Sequence, residues 1–226
     1  MLSKKPKPLR EDPTLDEVRA YLAPLLASQA AFDGWNEKAV AAAAEQTGVD
    51  ADLAGLAFND GPVDMIDAWF GSVDEAMAAR FSQDELDAMK IRERITALVT
   101  ARLETMETNR EGLRRALAIL AMPQNLGVAA KLGWRAADKM WQLAGDRATD
   151  YNHYTKRALL SAVYGSTISV FLDDQSDDYA ETRAFLGRRI ENIMQFEKAK
   201  ARIVRPGGDR FSMARFIGRL RYRGTA

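Results

Sequence analysis

Helix start and stop signals recur along almost the whole chain, and they constrain the fold more than any other sequence feature. Thr14 and Glu17 have the spacing of a capping box, in which each side chain binds a free backbone amide of the other residue. Asn36 and Asp50 are further N-cap residues, and Gly48 is placed to end a helix in the left-handed conformation. Apolar residues between these signals repeat at helical spacing, and no segment is convincing as a strand. The sequence therefore predicts an all-α fold.

The same signals predict short helices first and longer ones after them. Capping-box spacings at Ser72 and Thr108 place helix starts near 73 and 109, and Pro123 ends the second of these helices. The other predicted helices are about 16–31, 36–47, 50–57, 62–71, 90–107, 127–144, 150–172 and 179–202. The last of them is expected to turn four residues toward a core, namely Phe185, Ile190, Ile193 and Met194.

Composition along the chain predicts four segments. Residues 1–13 contain three prolines and little that could be buried, so we expect a disordered leader. Residues 14–71 form the set of short helices, and residues 72–203 form a bundle of longer ones. Residues 204–226 are expected to form a flexible joint followed by a basic amphipathic helix.

Composition also excludes several function classes. The chain has no cysteine, which excludes disulfides, thiolate zinc sites, iron–sulfur clusters and a thiol nucleophile, and its single histidine, His153, excludes a multi-histidine metal site. The acidic cluster at 173–178 is most simply a solvated turn with a helix cap. We therefore predict neither an enzyme nor a cofactor. Without a long apolar run or an apolar segment behind Met1, the chain is expected to be cytoplasmic.

Three short helices followed by a bundle resemble the layout of TetR-type repressors, with residues 16–70 as the helix-turn-helix module. A helix that reads DNA must neutralise phosphate charge. Residues 39–79 contain no lysine or arginine but eight acids: Glu45, Asp50, Asp52, Asp60, Asp64, Asp67, Asp74 and Glu75. We therefore expect no nucleic-acid partner, and a ligand-responsive regulator of the TetR type is kept as the alternative function.

Two predicted helices in the second half of the chain have rich apolar faces. Their large residues are Trp134, Met140, Trp141, Leu143, Leu159, Leu160, Val163, Tyr164, Ile168 and Phe171. Small residues interrupt the later helix at Ala158, Ala162, Gly165 and Ser166, which leaves room for an apolar ligand. The faces are therefore either packed core or, in part, the wall of a cavity, and spacing alone leaves both open.

The segment 145–157, GDRATDYNHYTKR, resembles the signature GDxSTDxNxYTxR of the coenzyme Q biosynthesis accessory family known as the ninth Coq protein. The segments at 134–138, 174–176, 32–35, 39–44 and 61–63 fit the family as well, and the similarity covers about residues 15–195. Ala148 departs from the pattern, which usually has a hydroxyl residue there.

The resemblance implies a TetR-like fold that has lost DNA binding and dimerises through its larger helices. It implies a non-catalytic protein that binds isoprenoid quinone intermediates or phospholipid and supports a ring hydroxylase of ubiquinone synthesis, in the cytoplasm and peripherally at the inner membrane. The expected lipid-binding residues are Trp134, Trp141, Leu159, Leu160, Val163, Tyr164 and Ile168.

The family's signature is implicated in contacting the hydroxylase, which extends a partner-binding role to Asp150, His153, Tyr154 and Arg157. We expect Tyr154 and Arg157 on adjoining surface of the helix that Asp150 would cap, because they lie three residues apart. Aromatic and arginine side chains are those that anchor interfaces. The simpler alternative is a helix cap with a surface ion pair.

The last 26 residues carry seven arginines against one acid. Beyond Gly207 and Gly208, an apolar face of Met213, Phe216, Ile217 and Leu220 opposes Arg215 and Arg219, a composition typical of helices that lie in a membrane interface. We predict membrane binding here, with a solvated tail or packing on a partner chain as alternatives.

Overall fold

The computed structural model describes residues 9–146 and 151–203, and within them it contains ten α-helices, three short 3-10 turns and no strand. The all-α prediction is confirmed. The helices are α1 (Leu15–Asp33), α2 (Glu37–Thr47), α3 (Ala51–Ala57), α4 (Pro62–Ala78), α5 (Gln83–Asp87), α6 (Ile91–Met106), α7 (Arg110–Leu120), α8 (Leu126–Leu143), α9 (Tyr151–Asp173) and α10 (Ala180–Ile203).

The N-terminal caps form as the sequence predicts. The Glu17 amide donates to Thr14 Oγ1 at 3.2 Å, and the Thr14 amide donates to Glu17 Oε2 at 3.0 Å. The Asn36 and Asp50 side chains cap α2 and α3, and Gly48 ends α2 with a φ of 74°. These signals act within four residues, which is why they can be recognised without knowledge of the fold.

The predicted helix start near 73 is wrong, whereas the start near 109 is confirmed to within one residue but without the predicted cap. Ser72 lies inside α4, where its hydroxyl donates to the Trp69 carbonyl at 2.7 Å, and the buried Val73 and Met77 continue the apolar face of that helix. The predicted boundary after residue 71 therefore falls within a continuous helix. Thr108 does not cap α7 either, because residues 107–109 form a 3-10 turn from which the helix begins at Arg110.

Two features of the second half differ from the sequence analysis. Ser82 caps α5, a short helix that we did not predict. On α10 the residues that enter the core are Leu186 and Ile190, whereas Phe185 is half-buried beneath the Arg189 guanidinium, 4.8 Å from its ring centre. The predicted core position of Phe185 is therefore wrong, and the next residue, Leu186, faces the core instead.

Helix α1 is the centre of the N-terminal part and contacts α2, α3, α4 and α7. It packs closely against α7 at Gly112, where a Cβ atom would collide with the Ala27 carbonyl. The Trp35 indole donates to the Gly112 carbonyl at 3.0 Å and fixes this crossing. Helix α4 continues from this part into contact with α6 and α8, and α8 packs along α9.

The chain divides into two units, residues 1–190 and 191–226. The first unit contains α1–α9, and the described part of the second unit, 191–203, is helical. No helix in the described ranges is long and apolar enough to span a membrane.

Candidate functional site

An apolar groove of about 480 Å³ lies in the first unit, and residues from α4 and α6–α9 line it. Its wall on α7 and α8 is mostly leucine and alanine, including Leu117, Leu120, Leu126 and Leu132. The rim is open, since Leu126 is 55% exposed. Such a surface is suited to an apolar ligand, because covering it removes apolar area from water.

Small residues on α8 and α9 create the space. Gly133, Ala162 and Gly165 all line the groove, and a Cβ atom at either glycine would meet no heavy atom within 4 Å. The Ser161 hydroxyl donates to the Gly133 carbonyl at 3.1 Å and joins α8 to α9 beside this space. Of the small residues singled out in the sequence, Ala162 and Gly165 line the groove, whereas Ala158 and Ser166 do not.

Two of the seven expected lipid-binding residues, Tyr164 and Ile168, line the groove. The other five do not: Trp134, Trp141, Leu159, Leu160 and Val163. Leu160 and Val163 are buried core residues, and the Trp141 indole donates to the Lys156 carbonyl at 3.1 Å, which joins α8 to α9. Helical periodicity finds the apolar side of α9 but does not distinguish its packed part from its open part.

A buried polar cluster adjoins the groove, and two of its members, Arg102 and Tyr164, line it. Arg102, 1% exposed, donates through Nε to the Tyr164 hydroxyl at 2.6 Å and forms an ion pair through Nη1 with Asp74. The second Asp74 oxygen lies 3.5 Å from Arg135 Nε, and Arg135 also pairs with Asp67. Burial raises the pKa of Asp74, and the neighbouring arginines oppose that rise.

Arg102 is not among the site residues predicted from the sequence, although a sequence signal was present. Leu98, Arg102 and Met106 lie four residues apart on α6, and all three are fully or almost fully buried. A cation within an apolar helix face needs a buried acceptor, because an unpaired charge in the interior is very costly. Asp74, which has the same spacing after Ile66 and Phe70 on α4, supplies that acceptor.

A second buried ion network lies beneath the signature segment. Arg157 is 2% exposed, and its guanidinium contacts Asp138 at 2.5 Å and Asp146 at 3.1 Å. Lys156 also binds Asp146, at 2.7 Å. Burial opposes ionisation of Asp146, but hydrogen bonds from Lys156 and then Arg157 outweigh it and lower its pKa. The expectation that Arg157 lies on the surface is therefore wrong: its role in the fold is to join α8, the following turn and α9.

Tyr154, by contrast, is 61% exposed, as expected. Its ring centre lies 6.1 Å from that of Trp134 and 5.1 Å from that of His153, so the three rings form an aromatic surface on α8 and α9. Asp150 lies outside the described residues, as do the tail residues Met213, Arg215, Phe216, Ile217, Arg219 and Leu220.

Four of the eight acids between residues 39 and 79 form ion pairs with basic residues outside that segment. Arg19 binds Asp64 at 2.5 Å, and Lys139 binds Glu75 at 3.2 Å. Asp67 and Asp74 pair with Arg135 and Arg102. The segment itself remains without a basic residue, and these acids attach α4 to α1, α6 and α8.

Known proteins resemble this chain in both sequence and fold. Residues 126–197, which cover α8, α9 and most of α10, match the COQ9 family. The ubiquinone biosynthesis protein COQ9, mitochondrial, of Rattus norvegicus is 32% identical over 167 residues, which are 71% of this chain and 54% of that protein. The protein of the same name from Homo sapiens is 30% identical over 71% of this chain and 52% of its own length. The chain thus spans about half the length of these curated relatives.

A crystal structure described as a TetR transcriptional regulator from Nitrosomonas europaea superposes with a TM-score of 0.62. It is 22% identical, and the match covers 78% of this chain and 98% of the regulator. At that identity the likeness concerns the fold, and it confirms the predicted TetR-like, all-α architecture. The family match and the relatives together show that the chain is similar to proteins of the COQ9 family over 71% of its length.

Proposed function

We propose that this chain is a non-catalytic accessory protein of ubiquinone biosynthesis. It holds the apolar part of an isoprenoid quinone intermediate or of a phospholipid in the groove and presents the ligand to a ring hydroxylase at the membrane. The relatives' names support the pathway. The observation that carries the ligand class is the groove, whose volume of about 480 Å³ is within the range of small-molecule sites.

The driving force for binding is burial of apolar surface. Each 100 Å² of apolar area that the ligand covers contributes about 2.5 kcal/mol before the entropic costs of association. Leu117, Leu120 and Leu132 supply much of this area, and Gly133 with Gly165 lets a chain lie close to the helix backbones.

The titratable groups of the groove support a binding role rather than a catalytic one. These groups are Arg102 and Tyr164. Burial would lower the pKa of Arg102, but its contacts with Tyr164 and Asp74 outweigh burial and raise it. Burial raises the pKa of Tyr164. Both side chains therefore stay protonated at neutral pH and cannot act there as a general base.

Filling the groove tests the proposal. Gly165→Leu adds four carbons to the groove wall, and the first of them, Cβ, meets no heavy atom within 4 Å. We expect mass spectrometry of organic extracts to show at least a fivefold loss of copurified lipid. Gly187→Leu is the matched control, because Gly187 also lies on a helix with open space around it but not in the groove. Wild-type protein without lipid, or folded Gly165→Leu with the wild-type amount, would contradict the proposal.

The aromatic surface is our candidate contact for the hydroxylase. We expect Tyr154→Ala to lower ubiquinone in the host and to accumulate an under-hydroxylated intermediate, because it removes an exposed aromatic anchor. Phe32→Ala is the control, since Phe32 is 82% exposed on α1. Wild-type quinone levels in Tyr154→Ala would exclude this surface from the contact.

Dimerisation through the larger helices and membrane binding by the tail complete the proposed function. Truncation after residue 206 should abolish sedimentation with anionic liposomes while the groove keeps its lipid, because the basic apolar helix follows a Gly-Gly joint. Equal sedimentation of the truncated and full-length chains would place the membrane contact elsewhere.

A further inference from the structure

The corner between α7 and α8, residues 116–130, carries no charge. It contains no acidic or basic side chain, although 28% of the whole chain is charged. The corner consists of the end of α7, the 3-10 turn Pro123–Asn125 and the start of α8. Residues 121–124, 126 and 127 are nevertheless exposed. Contact with water alone would favour charged side chains at such positions.

Two large apolar side chains stand at the surface of this corner. Met122 is 44% exposed, and Leu126, on the other side of the turn, is 55% exposed. Leu126 and Ala121 also line the groove, so the corner continues the rim of the groove. Exposed apolar surface of this kind marks a contact with a ligand, a protein or a membrane.

The backbone of the corner is closed by its own hydrogen bonds. The amides of Ala121 and Met122 donate to the carbonyls of Leu117 and Ile119 at 2.9 and 3.2 Å. The Asn125 side chain donates to the Ile119 carbonyl at 2.8 Å, and the Asn125 amide donates to the Met122 carbonyl at 2.8 Å. Backbone groups that are paired in this way can leave water without loss of a hydrogen bond. The corner therefore meets a main requirement for entry into lipid.

Basic side chains stand on both helices at the same distance from the turn. Arg115 on α7 and Lys131 on α8 are exposed, and each lies five residues from the end of its helix at the turn. Five residues correspond to about 8 Å of helix, and helices that bind membrane surfaces bury their apolar face by about 5–10 Å. Lys131 has no ion-pair partner in the described part of the chain. These cations are thus placed to meet anionic headgroups when the turn is among acyl chains.

A lipid explains this composition better than a protein partner does. Protein interfaces are anchored mainly by tryptophan, tyrosine and arginine side chains. Residues 116–130 contain none of these, and their only polar side chains are Gln124 and Asn125. The aromatic surface of Trp134, His153 and Tyr154 has the composition of a protein contact, whereas the corner does not.

We propose that the α7–α8 corner inserts into the outer part of an anionic lipid bilayer. Met122 and Leu126 enter the acyl region, and Arg115 and Lys131 lie among the headgroups. The rim of the groove is then in the lipid, so a lipid can pass into the groove without crossing water.

This inference rests on the membrane part of the proposed function and adds a second contact to the tail. The corner inserts only two large side chains, which is too little for stable binding without another membrane signal. The tail therefore holds the chain at the membrane, and the corner determines which face of the first unit meets the lipid.

A fluorescent label at the corner tests the insertion. The chain has no cysteine, so one introduced cysteine can be labelled uniquely in the full-length protein. We use Met122→Cys with the dye NBD, because Met122 does not line the groove, and Leu56→Cys as the control, because Leu56 is 58% exposed on α3. On vesicles of phosphatidylglycerol and phosphatidylcholine, a phospholipid with a spin label high on its acyl chain should quench the label at 122 about threefold more than the label at 56.

Each other outcome contradicts the inference in a different way. If the protein sediments with these vesicles but the two labels are quenched equally, the corner is not in the lipid, and a protein partner becomes its best occupant. Quenching at 122 that persists after truncation at residue 206 comes from lipid in the groove and equally overturns the insertion. If the full-length protein does not sediment with the vesicles, the membrane part of the proposed function fails together with the inference.

A charge at the corner tests the same contact without a label. Met122→Glu in the full-length protein should weaken binding to these vesicles by about fivefold, because a carboxylate is costly to place among acyl chains. Leu56→Glu should change the affinity by no more than about twofold, as an ordinary surface substitution does. Equal affinities of the two folded variants would overturn the proposal.

Discussion

Replacement of Arg157 by methionine should destabilise the fold strongly, because it removes one side of a buried ion network. Loss of one partner from a buried pair costs about 3–5 kcal/mol. Here Asp146 keeps Lys156 at 2.7 Å, and Asp138 is 30% exposed and can be solvated. We therefore expect the lower end of the range, about 3 kcal/mol, for Arg157→Met.

Urea denaturation followed by circular dichroism measures this cost. With a slope of about 3 kcal/mol per molar urea, the midpoint should fall by about 1 M. Arg115→Met is the matched control: Arg115 pairs with Glu111 on α7, with 43% and 52% of the two side chains exposed, and its loss should change stability by no more than about 0.5 kcal/mol. If Arg157→Met and Arg115→Met have equal midpoints, the network does not stabilise the junction, and Arg157 would again be a candidate for a surface role.

Three further predictions concern acid stability, packing and DNA. Burial would raise the pKa of Asp174, but hydrogen bonds from Ser176 and Thr182 outweigh it and hold that pKa far below its ordinary value. The stability that ionised Asp174 contributes is therefore present above about pH 4 and is lost as the pH falls toward the pKa of Asp174 in the folded state. Asp174→Asn should therefore flatten the decline in melting temperature between pH 5 and pH 3. Gly112→Ala should cost about 1–3 kcal/mol in urea denaturation because its Cβ meets the Ala27 carbonyl, whereas Gly55→Ala, with open space, should not destabilise. A mobility-shift assay with the promoter of its own gene should show no binding at physiological salt, and salt-sensitive retention there would favour the regulator alternative.

The sequence predicts those parts of the fold whose cause is local. Thr14, Asn36 and Asp50 cap their helices by contacts within three residues, and each prediction was confirmed. Ser72 has the same local pattern and does not start a helix, because Val73 and Met77 are buried and make continuation of α4 more favourable than a break. A capping pattern therefore indicates what a residue can do, and tertiary packing decides whether it does so.

The candidate site was predicted less completely, for a related reason. Tyr164 and Ile168 line the groove, but Leu160, which lies on the same predicted apolar helix face, is packed core. Which part of an apolar face stays open depends on the helices that meet it. The burial of Arg157 could not be predicted from the sequence. Its acceptors are 11 and 19 residues earlier in the chain, and neither spacing is recognisable as helical.

The ion pairs of α4 have a consequence for how this fold can evolve. Asp67, Asp74 and Glu75 hold Arg135, Arg102 and Lys139, so the acidity of α4 is also what attaches it to α6 and α8. A substitution of Asp74 by a basic residue would place it against Arg102 in the interior, at a cost comparable to much of a domain's total stability. A mutational path that makes α4 basic must therefore replace the cations of α6 and α8 at nearly the same time. Selection for stability alone keeps this surface acidic, whatever ligand or partner the protein has.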